Sequence, residues 1–100
     1  MNQQTGVKPG LVSGQIVPGQ ASDAAGIGLE DFTGPVEYEG HERGAMRHAW
    51  TRRPDRLGRY HALTLHREDD GRWIVIADQP FERADDAEEW SFRLFEETAN

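Results

Sequence analysis

The hydrophobic period changes once along the chain. From Pro35 to Asp78 apolar and polar residues tend to alternate, and from Asp85 onward the apolar ones recur at helical spacing. Val36-Glu37-Tyr38-Glu39, bounded by Gly34-Pro35 and Gly40, predicts a short strand. Gly44–Arg53 predicts a second, with Met46, His48 and Trp50 on one face. Arg53-Pro54-Asp55-Arg56-Leu57-Gly58 has Pro and Gly where a turn wants them, and Arg59–Arg67 predicts the next strand. Glu68-Asp69-Asp70-Gly71 predicts a hairpin loop. The return strand is predicted over Arg72–Asp78 and is stopped by Pro80. Ala87, Trp90, Ser91, Leu94 and Phe95 share one helical face, and Asp85 with Glu88 has the spacing of a capping box.

Residues 1–34 lack both periods. Seven glycines and two prolines separate small apolar clusters such as Leu11-Val12 and Ile16-Val17. Such clusters bury little against the entropy lost on ordering, so the segment predicts an irregular tail. The alternative there is a short strand at Gln15–Val17. The organisation expected is therefore an irregular Gly/Pro-containing tail, 1–34, and a small domain, 35–100. The domain's class is α+β: a three- or four-stranded antiparallel meander with one C-terminal amphipathic helix packed on one face.

The faces depend on register. A symmetric turn pairing Arg52 with Arg59 sets His61 opposite Trp50 and Leu63 opposite His48. A four-residue loop at Glu68–Gly71 then places Met46, His48, Trp50, His61, Leu63, Leu65, Ile74 and Ile76 under the helix. The other face carries Arg47, Thr51, Tyr60, Ala62, Thr64, His66, Trp73, Val75 and Ala77. A one-residue slip would exchange the faces of the last strand. One helix covers one face, so the second is expected to be open unless the tail wraps over it.

Composition narrows the classes. No apolar run approaches the ~20 residues of a membrane span, and no apolar leader opens the chain, so a cytoplasmic protein without a membrane partner is expected. With no cysteine, disulfide scaffolds, thiolate metal sites and Cys nucleophiles are excluded. Net charge is -7, unevenly placed: residues 35–66 hold six arginines against four acids, and residues 67–100 hold four against eleven.

Little of this is catalytic. His61 and His66 are five apart on one strand and point to opposite faces, whereas His48, His61 and Asp78 could converge only on the expected core face. No Ser elbow, dinucleotide fingerprint or Walker lysine is present. No enzyme, cofactor or metal is expected. Six arginines between 43 and 59 lie beside Trp50 and Tyr60, a set that can grip phosphate and stack on bases or can simply pair with neighbouring acids.

The reading that results is a small acidic, non-enzymatic protein-binding module: an accessory, inhibitor or assembly subunit. Its partner is another protein or a second copy, engaged through Arg47, Arg52, Arg56, Tyr60, His66 and Trp73. The alternative is a βββα nucleic-acid-binding domain using the Arg-rich hairpin 43–59. Gly58-Arg59-Tyr60, Asp70-Gly71-Arg72, Phe81 and Ala87-Glu88-Glu89-Trp90 give it a layout that resembles the arm-binding domains of tyrosine recombinases, which implies a sheet laid in the major groove.

Overall fold

A computed structural model describes residues 11–16 and 29–98 of the chain. Five antiparallel strands form one sheet in sequence order: β1 (Leu11–Ile16), β2 (Val36–Arg43), β3 (Met46–Thr51), β4 (Tyr60–Arg67) and β5 (Trp73–Phe81). A 3-10 turn (Leu29–Asp31) precedes β2, and α1 (Ala84–Glu97) follows β5. The α+β class and the C-terminal helix are as expected, but the strands among the described residues number five rather than three or four.

The additional strand comes from the glycine-rich third. Leu11–Ile16 pairs with His41–Val36 along its whole length. Gly14 makes this possible, because the Tyr38 ring occupies the space its Cβ would need. Gly40 plays the same part on β2, where a Cβ would run into the backbone of His48 and Ala49. The remaining residues of the expected tail, 1–10 and 17–28, lie outside the described residues.

Register differs from the symmetric turn. Trp50 pairs with Ala62, Ala49 with Leu63 and His48 with Thr64, one residue away from the expected partners. Asp55 is the cause. Its Oδ1 accepts from the N–H groups of Leu57 (2.9 Å) and Arg59 (3.0 Å), and its own N–H donates to the Arg59 carbonyl (2.9 Å). That closed loop sets an odd offset, and an offset of one turns every β4 side chain over. Leu63, Leu65 and His61 therefore face away from the helix, while Tyr60, Ala62, Thr64 and His66 share its side.

On β5 a bulge at Ile76 changes parity again. Val75 pairs with Leu65, but Ala77 pairs with Thr64 and Asp78 with Leu63. Without the extra residue Asp78 would point toward the helix; with it, Asp78 points to the reverse face. Pro80 does not end the strand, because β5 is an edge and proline's missing donor is harmless on the outer side. Nor is the capping box formed: Arg83 is the N-cap, in extended backbone, with no side-chain cap bond.

Both faces have a core. On the reverse side Ile16, Leu29, Phe32, Val36, Tyr38, Ala49, Leu63, Leu65 and Val75 form one buried cluster. The chain's own N-terminal third thus seals the face expected to be open, since Leu29 and Phe32 are almost wholly buried on it. On the other side α1 packs Ala87 against Trp50 and Ala62, with Tyr60 and Phe81 at the margin.

Candidate functional site

Two places gather chemistry. The first is an ionic triad buried in the reverse face. The β3–β4 loop supplies Asp55, β4 supplies His61 and the β5 bulge turns Asp78 inward. His61 Nε2–H donates to Asp55 Oδ2 (2.7 Å) and Nδ1–H to Asp78 Oδ1 (2.6 Å), with all three side chains 6% exposed or less. Burial alone would lower the imidazole's pKa, but the bonds to Asp78 and Asp55 and their negative charges outweigh it and raise it above the ordinary histidine value. Asp55 shifts the other way: burial would raise it, yet the His61 bond and the N–H groups of Arg59 and Leu57 hold it low. The Phe32 ring lies 5.0 Å from the imidazole, so the triad also supports the segment that seals this face.

Both ring nitrogens of His61 are thus engaged with carboxylates of the chain itself. His48 lies on the opposite face, so His48, His61 and Asp78 do not converge. Among the described residues no three His, Cys, Asp or Glu side chains are arranged to hold a metal ion.

The second place is the helix face beside β5. α1 lies mainly over β3 and β4 and touches β2 and β5 more lightly, so β5 is left partly uncovered. Ala77 and Gln79, which share that face, are exposed. A cleft of about 160 Å³ opens between strand and helix, walled by Ala62, Thr64, Ala77, Gln79, Trp90 and Leu94. Trp90 has 42% of its surface in solvent although the Phe81 ring lies 5.8 Å away. The helical spacing placed Trp90 on the packed face, but α1 sits over the middle of the sheet, so the indole overhangs the edge.

The residues singled out from sequence do not form one surface. Arg47 and Trp73 meet on the reverse face, the guanidinium 4.0 Å above the indole, with Arg47 also bonded to Glu42 and the Tyr38 hydroxyl (both 2.7 Å). Arg56 lies in the β3–β4 loop, 3.3 Å from Asp31. Arg52 pairs with Glu39 (2.7 Å). Tyr60 packs at the margin of the helix-side core, and His66 bonds Glu68 (3.1 Å) at the far end of β4. Tyr60 and Trp73, expected together on an open face, are half-buried on opposite ones. Sequence reasoning set Asp78 near His61 only in a group with His48 on the expected core face, and it missed Asp55, because both positions depend on register.

Arg43 donates to the Phe95 carbonyl (3.1 Å) and Arg53 to those of Thr33 (3.0 Å) and Pro35 (2.9 Å). Five of the six arginines between 43 and 59 are thus engaged within the chain. No helix among the described residues is long and apolar enough to cross a membrane. Searches of protein-family models, curated proteins and solved structures find no match to this chain.

Proposed function

We propose that the chain is a small, non-enzymatic protein-binding module that docks its partner on the β5 side of α1. One observation carries the reading: a tryptophan 42% exposed over a cleft whose walls include Ala62, Ala77 and Leu94. Tryptophan is the side chain most enriched among residues that dominate binding energy, and an exposed apolar patch rimmed by polar residues marks a docking surface. An accessory, inhibitor or assembly role fits a domain of this size with an acidic surface. The occupied nitrogens of His61 favour a binding role over acid–base chemistry. Carbonyls and carboxylates of the same chain hold most of the hairpin arginines, which weakens the nucleic-acid alternative.

The test is Trp90→Ala in the full chain. It is expected to weaken protein association by about tenfold or more while leaving the thermal midpoint within a few degrees of wild type, since a partly exposed side chain contributes less to folding than a core one. A variant that associates as wild type overturns the docking face. Duplex DNA binding that weakens steeply with salt and is lost on Arg52→Ala or Arg56→Ala would establish the alternative instead.

A further inference from the structure

The exposed flank of α1 that contains Trp90 has an ordered charge pattern. Asp86, Trp90, Arg93 and Glu97 of α1 follow one another at intervals of four and three, the spacing that keeps residues on one side of a helix, and Arg83, the N-cap, stands three residues before Asp86. All five are exposed. Read in chain order the stripe is positive, negative, indole, positive, negative. Reversed end for end, with the two ends exchanged between copies, each charge meets its opposite: Arg83 lies against Glu97, Asp86 against Arg93, and Trp90 against itself. That is the requirement of a two-fold interface, in which one patch is complementary to its own copy.

The neighbouring stripe is different. Glu82, Asp85, Glu89, Phe92 and Glu96 carry a single sign and would repel a second copy. Competing bonds within the chain are easily exchanged. Arg93 reaches Glu89 at 2.6 Å and Arg83 reaches Asp85 at 3.8 Å, but all four side chains are mostly in solvent, where such pairs contribute little.

Building on the docking face proposed above, we infer that its occupant is a second copy of this chain, held by antiparallel pairing of two α1 helices about Trp90. In this pairing Arg93 meets the partner's Asp86, Arg83 meets the partner's Glu97, and the two indoles fill the space over the clefts. α1 is only about 21 Å long at 1.5 Å per residue, so the seam alone is small beside a standard interface. The dimer is therefore a concentration-dependent one.

Sedimentation equilibrium of the full chain over a wide concentration range tests this. A reversible dimer is expected, weakened about tenfold or more by Trp90→Ala. Asp86→Arg sets like charges against each other at both symmetric pairs and weakens it too, and adding Arg93→Asp to that variant restores it. A monomer at every concentration overturns the inference, as does a dimer indifferent to these substitutions. A photo-crosslinking residue at the exposed Gln79 separates this failure from that of the docking face itself. A self-crosslink supports the second copy. A crosslink in the native cell to a different protein alone overturns the second copy and keeps the docking face. No crosslink in either setting overturns both.

Discussion

On the reverse face His61 is held with its proton between Asp55 and Asp78, whereas on the helix face burial first, and then the Arg43 charge, lower the pKa of His48. Both rings are almost wholly buried, so depth does not distinguish them. The neighbours do. The reverse face is closed by the chain itself, with Leu29 and Phe32 over the strands and an ionic triad beneath. The helix face is closed by one rod, which packs Ala87 and Ser91 tightly and leaves β5 uncovered at the Trp90 side. A face bound down by buried charge on three elements is poorly suited to open for a partner. A face whose cover ends short of the sheet edge already presents an apolar surface, and for that reason the docking role proposed above is set on α1 and β5.

The largest expected effect comes from removing the centre of the triad. His61→Ala leaves two carboxylates facing each other in the interior with no cation between them. Breaking a buried charged set by deleting one member destabilises by about 3–5 kcal/mol. Chemical denaturation followed by tryptophan fluorescence should show that loss. A loss under about 1 kcal/mol would mean that water reaches the triad and that the reverse face is no more tightly held than the helix face.

Phe32→Ala ranks next and tests the seal alone. The ring is 5% exposed, belongs to the larger core and rests against His61. Burial of this kind is worth about 3 kcal/mol or more when a phenylalanine is truncated. Hydrogen exchange should rise first in the 29–33 segment and in the β3–β4 loop, because Arg56 N–H donates to the Asp31 carbonyl (2.7 Å) and Arg53 to those of Thr33 and Pro35. Exchange that rises equally under α1 would show that the two faces are not independent.

Much of the domain could be read from local pattern. The alternation of Met46, His48 and Trp50, the apolar run of β4 and the three-four spacing after Asp85 each specify an element within a dozen residues. Pairing of the hairpin arginines with nearby acids, one of the two uses weighed for them, is what Arg47–Glu42, Arg52–Glu39 and Arg56–Asp31 display. What stayed hidden depends on single-residue offsets or on distant segments. β1 contains only one apolar pair of neighbours, Leu11-Val12, and the lone Ile16, and its place is decided by room for the Tyr38 ring at Gly14. Asp55 reads as an ordinary turn residue, yet its two backbone bonds decide which face His61 takes. Ile74-Val75-Ile76 is apolar on both sides, so nothing local marks Ile76 as the bulge that swings Asp78 inward. The same cause conceals the triad, whose members are separated by two register choices. Trp90 fits the helical stripe, and only the lateral position of α1 over the sheet reveals that it overhangs.

The smallest expected effect is a pair of opposite pH slopes, one from each face. Because the folded state raises the pKa of His61, the stability it contributes is complete below the unfolded value of about 6.5 and is lost as pH rises through the folded one. His48 has the reverse sign: its folded pKa is lowered, so stability rises with pH across the interval that ends near 6.5. The groups around it favour the neutral ring. Arg43 on β2 approaches with a positive charge, His41 lies directly across from it, and Phe95 and the Thr98 hydroxyl of the helix end offer no anion. Asp85, Glu88 and Glu89 of α1 line a pocket beside His41 rather than His48, and Glu39 of β2 on this side is paired with Arg52. Asp55 adds a second acid limb, since its lowered pKa gives stability that disappears as pH falls from about 3.9 through the folded value. Each single-proton limb has a slope of at most about 1.4 kcal/mol per pH unit. Unfolding free energies measured from pH 4 to 9, a range of about five units spanning the two histidine limbs, should therefore pass through a maximum near pH 6–7, as the two histidines pull oppositely on either side of about 6.5. His61→Gln should flatten the alkaline limb alone, and His48→Gln the limb just below the maximum. If both limbs vanish with one substitution, the two faces titrate as a unit and the contrast between them is lost.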